Sequence, residues 1–543
     1  MDFIATAAFP ISVSWITHNI ALAALSLTLV YALSRSVYNL FLSPLSSIPG
    51  PWFAAVSNFW ITTHVLRLQQ CKTNHRLFEK YGPVVRIGPN KIIFKDLTSM
   101  RSIYSVHKFD KSAFYKSLLT NENDHAMTTL DHAGHVTRRK GYAPHYIPVN
   151  LALFQPEAHD YTLELVSVLE HIGGKHSLDC LALFRHYMVD VIIASSHGYR
   201  QGALSKWIAG VEDSMATAIA DFPKRGIIRS AVPPWVWDLI CRIPNNRWRQ
   251  MCDSDKIMGE FVGARVYEMR AQLTAGKLGE SEKIPMLRRL LQHKYSLEQA
   301  MPDHDIISEM MGHMIAGSDT TSNSLSYFFW ELSRRQDIMM KLQAELDQAM
   351  PDPHAIPDIA LLQKLPYLNA FVKEGQTALR FSLHLLTHVI GLRLYSAVPS
   401  PLERVVPSST SKNGAINEAF DLMGYALPPG TIVATQGWSM HRDASIFPSP
   451  KTFLPERWLE RPGNAEHLFK MAQSLVPFGI GSRVCGGQNL AQMMLRIAVA
   501  TVARNFDVVA PPETNERSME IKDSFVIFPA SMECKLTFVP RAQ

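Results

Sequence analysis

The stretch "FGIGSRVCGGQNLA", Phe478 to Ala491, places one of six cysteines between glycines, with Arg483 just before it and a helix-like run just after. No other feature restricts the fold as much. A cysteine kept for packing prefers apolar neighbours, whereas glycines remove side chains where the backbone must approach a partner closely and supply unusual φ values. The spacing Phe478-x-x-Gly481-x-Arg483-x-Cys485-x-Gly487 suits presentation of a thiolate to the underside of a flat cofactor. A helix starting near Gln488 would point its amide N–H groups and its dipole at the sulfur and favour the thiolate. Such N–H contacts also tune a metal–sulfur bond. Arg483 adds a fixed positive charge able to pair with a carboxylate on the cofactor.

Two further constellations accompany this loop. "AGSDTT", Ala316 to Thr321, lies inside a helical run from Ile306 to Trp330. Glycine costs about 1 kcal/mol against alanine in a helix interior, so Gly317 followed by two threonines predicts a local opening of the backbone ladder. "FLPERWLE" holds Pro455, Glu456, Arg457 and Trp458, and upstream of it runs "GWSMHRDASIFPSPKTF".

Together these stretches resemble the haem-thiolate monooxygenases, the cytochrome P450 family, and the resemblance extends over most of the chain. It implies a mainly α fold with a smaller β region, and haem b held by Cys485 as axial ligand to the iron. Phe478, Gly481, Arg483 and Gly487 would shape that haem site. It also implies that Thr320 hydrogen-bonds the bound oxygen and that Asp319 relays protons. Arg404, in "PLERVVP", sits where the family often pairs an arginine with a haem propionate. His135 and Arg139, in "DHAGHVTRRKGYAPHY", are candidates for the same role from another helix, and His441 and Arg442 are read as structural. Arg457 would complete a charge triad with a Glu-x-x-Arg pair on an earlier helix.

That pair is where the chain departs from the family pattern. The sequence reads "KEGQTALRFSLHLLTHVIGLRLYSAVPSPLERVVP", so Thr377 stands three residues after Glu374. Arg380 falls on the wrong side of a helix with 3.6 residues per turn. Omitting residues 375–390 restores Glu374-Gly391-Leu392-Arg393 in register. The coding length of the omitted segment keeps the reading frame, and its end codons can carry the GT and AG of an intron. Residues 375–390 are therefore read as an insertion or a retained intron. Glu374 and Arg393 could pair around it only if the segment leaves and re-enters one helix, and a chain that keeps it is expected to take up haem poorly. Glu331 and Arg334 also match Glu-x-x-Arg but stand at the end of the AGSDTT helix.

Composition bounds the rest. The chain has 543 residues, 47% hydrophobic and 19% charged, with a formal charge of +6, which reads as globular. No polybasic block argues for nucleic acid, whereas a mild excess of positive charge is compatible with an acidic partner or a membrane surface. The other cysteines lack metal-site or disulfide-framework spacing, so a reducing compartment is expected. From Ile11 to Leu33 the sequence is broadly apolar, and about 20 such residues span a bilayer. Arg35 follows this run and favours a cytoplasmic placement of what comes after. Two tryptophans in "SAVPPWVWDLICRIP" offer a second contact with lipid.

The organisation expected is a membrane anchor over 1–43 and one catalytic domain over 44–543. The function expected is insertion of one atom of dioxygen into an apolar organic substrate, in a protein most like fungal enzymes of secondary metabolism. Electrons would come from NADPH through a reductase, with cytochrome b5 as a second possible donor and the endoplasmic reticulum as the site. Two alternatives stand beside it: a same-fold haem isomerase or dehydratase, and a catalytically dead product of the insertion.

Overall fold

The computed structural model describes residues 13–277, 279, 283–374, 392–408 and 419–542. Helices dominate. Those that matter for the site are α1 (Val13–Val37), α2 (His132–Tyr142), α3 (Cys180–His197), α4 (Ser214–Ala231), α5 (Pro234–Ile240), α6 (Asn246–Cys252), α7 (Ser254–Thr274), α8 (Asp303–Arg334), α9 (Pro366–Glu374) and α10 (Gln488–Asn505). The smaller β region includes a four-stranded sheet of β1 (Val84–Gly88), β2 (Lys91–Phe94), β3 (Arg404–Val405) and β4 (Ile432–Thr435), ordered β1-β2-β4-β3.

The long helix α8 is the axis of the molecule. It starts after Pro302 with Asp303 and Asp305 in its first turn, where acidic groups complement the helix dipole, and carries Arg334 in its last. It packs on α3, α7 and α10. Its second half buries Leu325, Tyr327, Phe328 and Phe329 completely in the main core. Gly317 does not open the helix, which runs unbroken from Asp303 to Arg334. A Cβ at Gly317 would meet Ile192 Cδ1 of α3 at 2.5 Å, so this glycine serves the close approach of α3 and α8. The Thr320 hydroxyl donates to the Ala316 carbonyl at 2.7 Å.

β1 and β2 form an antiparallel hairpin across Gly88-Pro89-Asn90, with Val84 opposite Phe94. β4 then pairs parallel to β2, and β3 adds on antiparallel with Arg404 opposite Val433. The C-terminal stretch forms three strands, Ile521–Ser524, Val526–Pro529 and Lys535–Pro540. Phe525, at φ 71°, turns the chain between Ile521–Ser524 and Val526–Pro529, and Lys535–Pro540 pairs elsewhere. A positive φ at a bulky residue is not readable from an alternating apolar pattern.

Near the N-terminus, Ile20–Leu42 (23 residues) is apolar enough to cross a membrane, with mean hydropathy 1.7 and exposed side chains over most of its length, Asn39 being buried. It overlaps the Ile11–Leu33 run, part of which lies outside the described residues. The expected insertion over 375–390 also lies outside them.

Candidate active site

A cavity of about 300 Å³ lies between α8, α2, the sheet and the loop before α10. Among the residues expected at the site, Phe478, Arg483, Cys485, Gly487, Thr320, His135, Arg139 and Arg404 line it. Gly481 and Asp319 do not. Gly481 sits at φ 76°, and a Cβ there would come within 2.1 Å of the Tyr104 carbonyl oxygen. Its missing side chain therefore makes room for the protein's own backbone behind the loop, rather than for a cofactor.

Cys485 presents its thiol to the cavity. Its backbone N–H donates to the Phe478 carbonyl at 2.9 Å, which closes the loop. Burial raises the thiol's pKa, while the N–H groups of Gly487 and Gln488 and the charge of Arg139 oppose that rise. The helix start at Gln488 is where the sequence places it, so the first N–H groups of α10 stabilise charge on the sulfur. Gly486 lies against the Tyr142 ring, at 2.8 Å for a Cβ.

One side of the cavity is strongly cationic. Lys111, His135, Arg139, Arg404 and Arg483 line it, and among the described residues no carboxylate forms an ion pair with any of them. Arg483 donates to the carbonyls of Thr129 and Leu130 at 2.7 and 2.6 Å, and its Nε has no partner. Arg139 donates to the Val484 carbonyl at 2.7 Å. Arg404 is buried beside Tyr104 and Tyr115 and donates to the Glu403 carbonyl. His135, on α2, is buried with Nδ1 unpartnered.

The electrostatic strain shows in the titration of these groups. Burial, then Arg404, lowers Arg483 to about 10; burial, then Arg483 and Lys111, lowers His135 to about 2. Lys111 is lowered well below its ordinary value by burial and by Arg404 and Arg483. Buried cations without counter-charges are costly. A flat group carrying two carboxylates would reverse that cost and occupy the orphaned Nδ1 of His135 and Nε of Arg483. The residues present therefore fit a haem with its propionates.

Thr320 lines the main cavity and, together with Asp319, the one beside it. Asp319 is buried and accepts from Arg185 Nε of α3 at 2.9 Å, and it lines a smaller adjoining cavity of about 90 Å³. The walls of that smaller cavity are mostly apolar, with Phe114, Leu118, Phe222, Ile227, Ile315 and Phe525 among them.

The charge triad is assembled. Glu374, at the end of α9, pairs with Arg393 and with Arg457, whose Nε lies 2.8 Å from Glu374 Oε1. Trp458 Nε1 and the Leu454 backbone N–H also donate to this carboxylate. The arginines reach on to carbonyls of His441, Pro448, Pro450 and Thr452. His441 Nε2 accepts from the Val476 N–H at 2.9 Å, two residues before Phe478. Arg442 lies over the Trp438 ring and donates to the Leu394 carbonyl. His441 and Arg442 thus lie in the brace behind the cysteine loop and not in the cavity. Glu331 and Arg334 form a separate pair.

Sequence reasoning missed Lys111, Tyr104, Tyr115 and Arg185, which carry no spacing signal. It also missed Glu309 and His313, which line the cavity from α8 and lie 3.3 Å apart. Their i,i+4 spacing on an otherwise apolar helix face was an available signal.

A family profile described as Cytochrome P450 matches residues 49–536. Curated relatives align over nearly the whole length. The cytochrome P450 monooxygenase cypX of Dothistroma septosporum is 26% identical over 99% of this chain and 98% of its own. Tryprostatin B 6-hydroxylase of Neosartorya fischeri is 28% identical over 90% of this chain and 81% of its own. Benzoate 4-monooxygenase bphA of Aspergillus niger is 24% identical over 90% and 92%.

Proposed function

Because this chain belongs to the cytochrome P450 family, and is a monooxygenase that depends on haem and on electrons from a reductase, we propose that it oxidises a neutral apolar substrate in fungal secondary metabolism, with Cys485 as the axial ligand. The observation that carries this reading is that Cys485 and Thr320, from two separate elements, line one cavity with a cationic side. Bound haem supplies the activation of dioxygen, and the chain's residues govern where protons and substrate go.

Arg404, His135, Arg139 and Arg483 would hold the propionates, with Lys111 adding positive charge beside them. Gly487, which lines the same cavity, would help shape the haem site beside the sulfur. The Thr320 hydroxyl, anchored on the Ala316 carbonyl, would hold a proton near the reacting oxygen. Asp319 would pass protons to it from the Arg185 side. The apolar chamber of Phe114, Phe222, Ile315 and Phe525 would seat the substrate and exclude water, which favours an uncharged hydrocarbon-rich molecule. An isomerase or dehydratase would need neither Thr320 nor a reductase, so the placement of Thr320 supports oxygenation.

Residues 1–43 would anchor the protein in the endoplasmic reticulum membrane. Residues 44–543 would form the catalytic domain on the cytoplasmic side, with NADPH as electron source and cytochrome b5 as an auxiliary donor. Residues 375–390 would be an insertion or retained intron within that domain. Turnover with an NADPH-dependent reductase under isotopically labelled dioxygen tests the reading. One labelled oxygen atom per product supports it. Unlabelled product formed equally well without reductase would establish the isomerase or dehydratase instead.

A further inference from the structure

Four tyrosines line the main cavity, Tyr104, Tyr115, Tyr142 and Tyr146, and their rings and hydroxyls meet different partners. Tyr104 donates to the Leu402 carbonyl at 2.6 Å. Tyr115 accepts from the Arg404 guanidinium at 3.4 Å. Tyr142 packs edge-on against the His313 ring, with 4.4 Å between centroids. Among the described residues, Tyr146 is the one of the four whose hydroxyl hydrogen-bonds to a base, lying 3.0 Å from Nδ1 of His313. A phenol gives up an electron far more readily when its proton has a base to move to, and neither a carbonyl nor a guanidinium is such a base.

His313 is held for this role by its own helix. Its Nε2 lies 3.3 Å from Oε1 of Glu309, one turn earlier on α8. Glu309 is buried, and its carboxylate oxygens accept from the Ala126 N–H at 3.2 and 3.0 Å. Burial raises this carboxyl's pKa, but His313, His125 and Arg138 more than offset that rise and hold it below its ordinary value. With a carboxylate facing Nε2, that nitrogen carries the ring proton and Nδ1 accepts from the phenol. Tyr146 ends the helical turn Ala143–Tyr146 that follows α2. Its ring packs beside Gly487, where a Cβ would lie 3.7 Å from Cε1. The line Tyr146–His313–Glu309 therefore starts beside the cysteine loop and ends on α8, and all three residues line the cavity.

We propose that Tyr146 is a redox-active tyrosine, with His313 as its proton acceptor, that takes up an oxidising equivalent left at the haem site when no substrate is seated. The proposal rests on the oxygenase reading, in which dioxygen and reductase electrons supply the oxidant; a peracid supplies it without either. The peracid is reduced to its carboxylic acid and leaves two oxidising equivalents at the haem site. Tyr146 gives that site one electron, and its phenolic proton moves to His313 Nδ1. The products are a neutral phenoxyl radical and an imidazolium whose other N–H faces the Glu309 carboxylate. One oxidising equivalent stays at the haem site. A soluble one-electron reductant such as ascorbate restores the phenol, which takes its proton back from His313. Glu309 is a positioning residue: it fixes the tautomer of His313 and steadies the imidazolium.

The test uses the full-length ferric holoenzyme without substrate, mixed with m-chloroperbenzoic acid, freeze-quenched within milliseconds and read by electron paramagnetic resonance. The preparation is first checked for the thiolate-type carbon monoxide band, so that failure of the oxygenase reading shows there and not in the radical signal. The expected result is a tyrosyl radical signal that narrows when the protein carries ring-deuterated tyrosine. Tyr146→Phe should lose this signal and Tyr142→Phe should keep it. His313→Phe, which leaves the phenol in place and removes its base, should lose most of it. A holoenzyme that has the thiolate band and consumes the peracid but gives no tyrosyl radical would overturn the proposal. An undiminished signal in Tyr146→Phe would place the radical on another tyrosine, and an undiminished signal in His313→Phe would remove the histidine from its role; either result would overturn it too.

Discussion

Glu374 and Arg393 form a fully buried, two-pronged ion pair although 18 residues separate them in the chain. Their backbones meet as well: the Arg393 N–H donates to the Glu374 carbonyl at 3.1 Å, and the Leu394 N–H reaches the same oxygen at 3.5 Å. With residues 375–390 omitted, these become i→i+3 and i→i+4 bonds of one helical turn. The described ends of the segment therefore already stand where a shorter chain would join them.

This gives the first prediction. Closing a segment of that length costs about 2.5 kcal/mol in chain entropy, a cost a chain lacking residues 375–390 does not carry. The shortened protein should keep the triad, bind haem stoichiometrically and unfold at higher denaturant concentration, and the full chain should show a lower haem-to-protein ratio. Equal ratios and equal midpoints would show that the insertion is tolerated.

The triad also shows how far the sequence could be read. Glu374, Arg393 and Arg457 were recoverable from the register of the motifs that resemble the family's. The cysteine loop was legible because its glycines and the following helix start are local. Lys111, Tyr115 and Arg185 were not, since their roles arise where distant segments meet. That Asp319 pairs with Arg185 of α3 could not be read from its own stretch either.

Thr320→Ala should leave haem bound while product per NADPH falls at least about tenfold, with hydrogen peroxide released instead. The hydroxyl holds a proton at the reacting oxygen, and general-acid help is typically worth about 10²–10⁴-fold. Product yield and peroxide, measured together, check this; unchanged coupling would contradict it.

Removing residues 1–43 should move the protein from the membrane pellet toward the supernatant after alkaline carbonate washing. Release will be incomplete if exposed Trp235 and Leu239 of α5 also hold lipid. Full retention would mean that another segment spans the bilayer.

His197 carries a pH prediction. Burial and then Arg265 lower it to about 3, so below about 6.5 the unfolded chain binds a proton that the folded chain refuses. Stability from this group is therefore complete above 6.5 and declines as pH falls toward 3. Between pH 6.5 and 5 the loss is roughly 2 kcal/mol. His197→Gln should flatten the stability profile in this window in denaturant titrations, and an unchanged slope would refute the assignment.

The central claim is that Cys485 delivers a thiolate to haem iron. The carbon monoxide difference spectrum of the reduced, full-length protein measures this directly, compared with Cys485→Ser. The parent protein should give the strongly red-shifted Soret band of a thiolate-ligated ferrous carbonyl complex, and the serine variant should lose it, because a neutral hydroxyl is a poor donor to the iron. A parent spectrum without that band, or a variant that keeps it, would contradict the account.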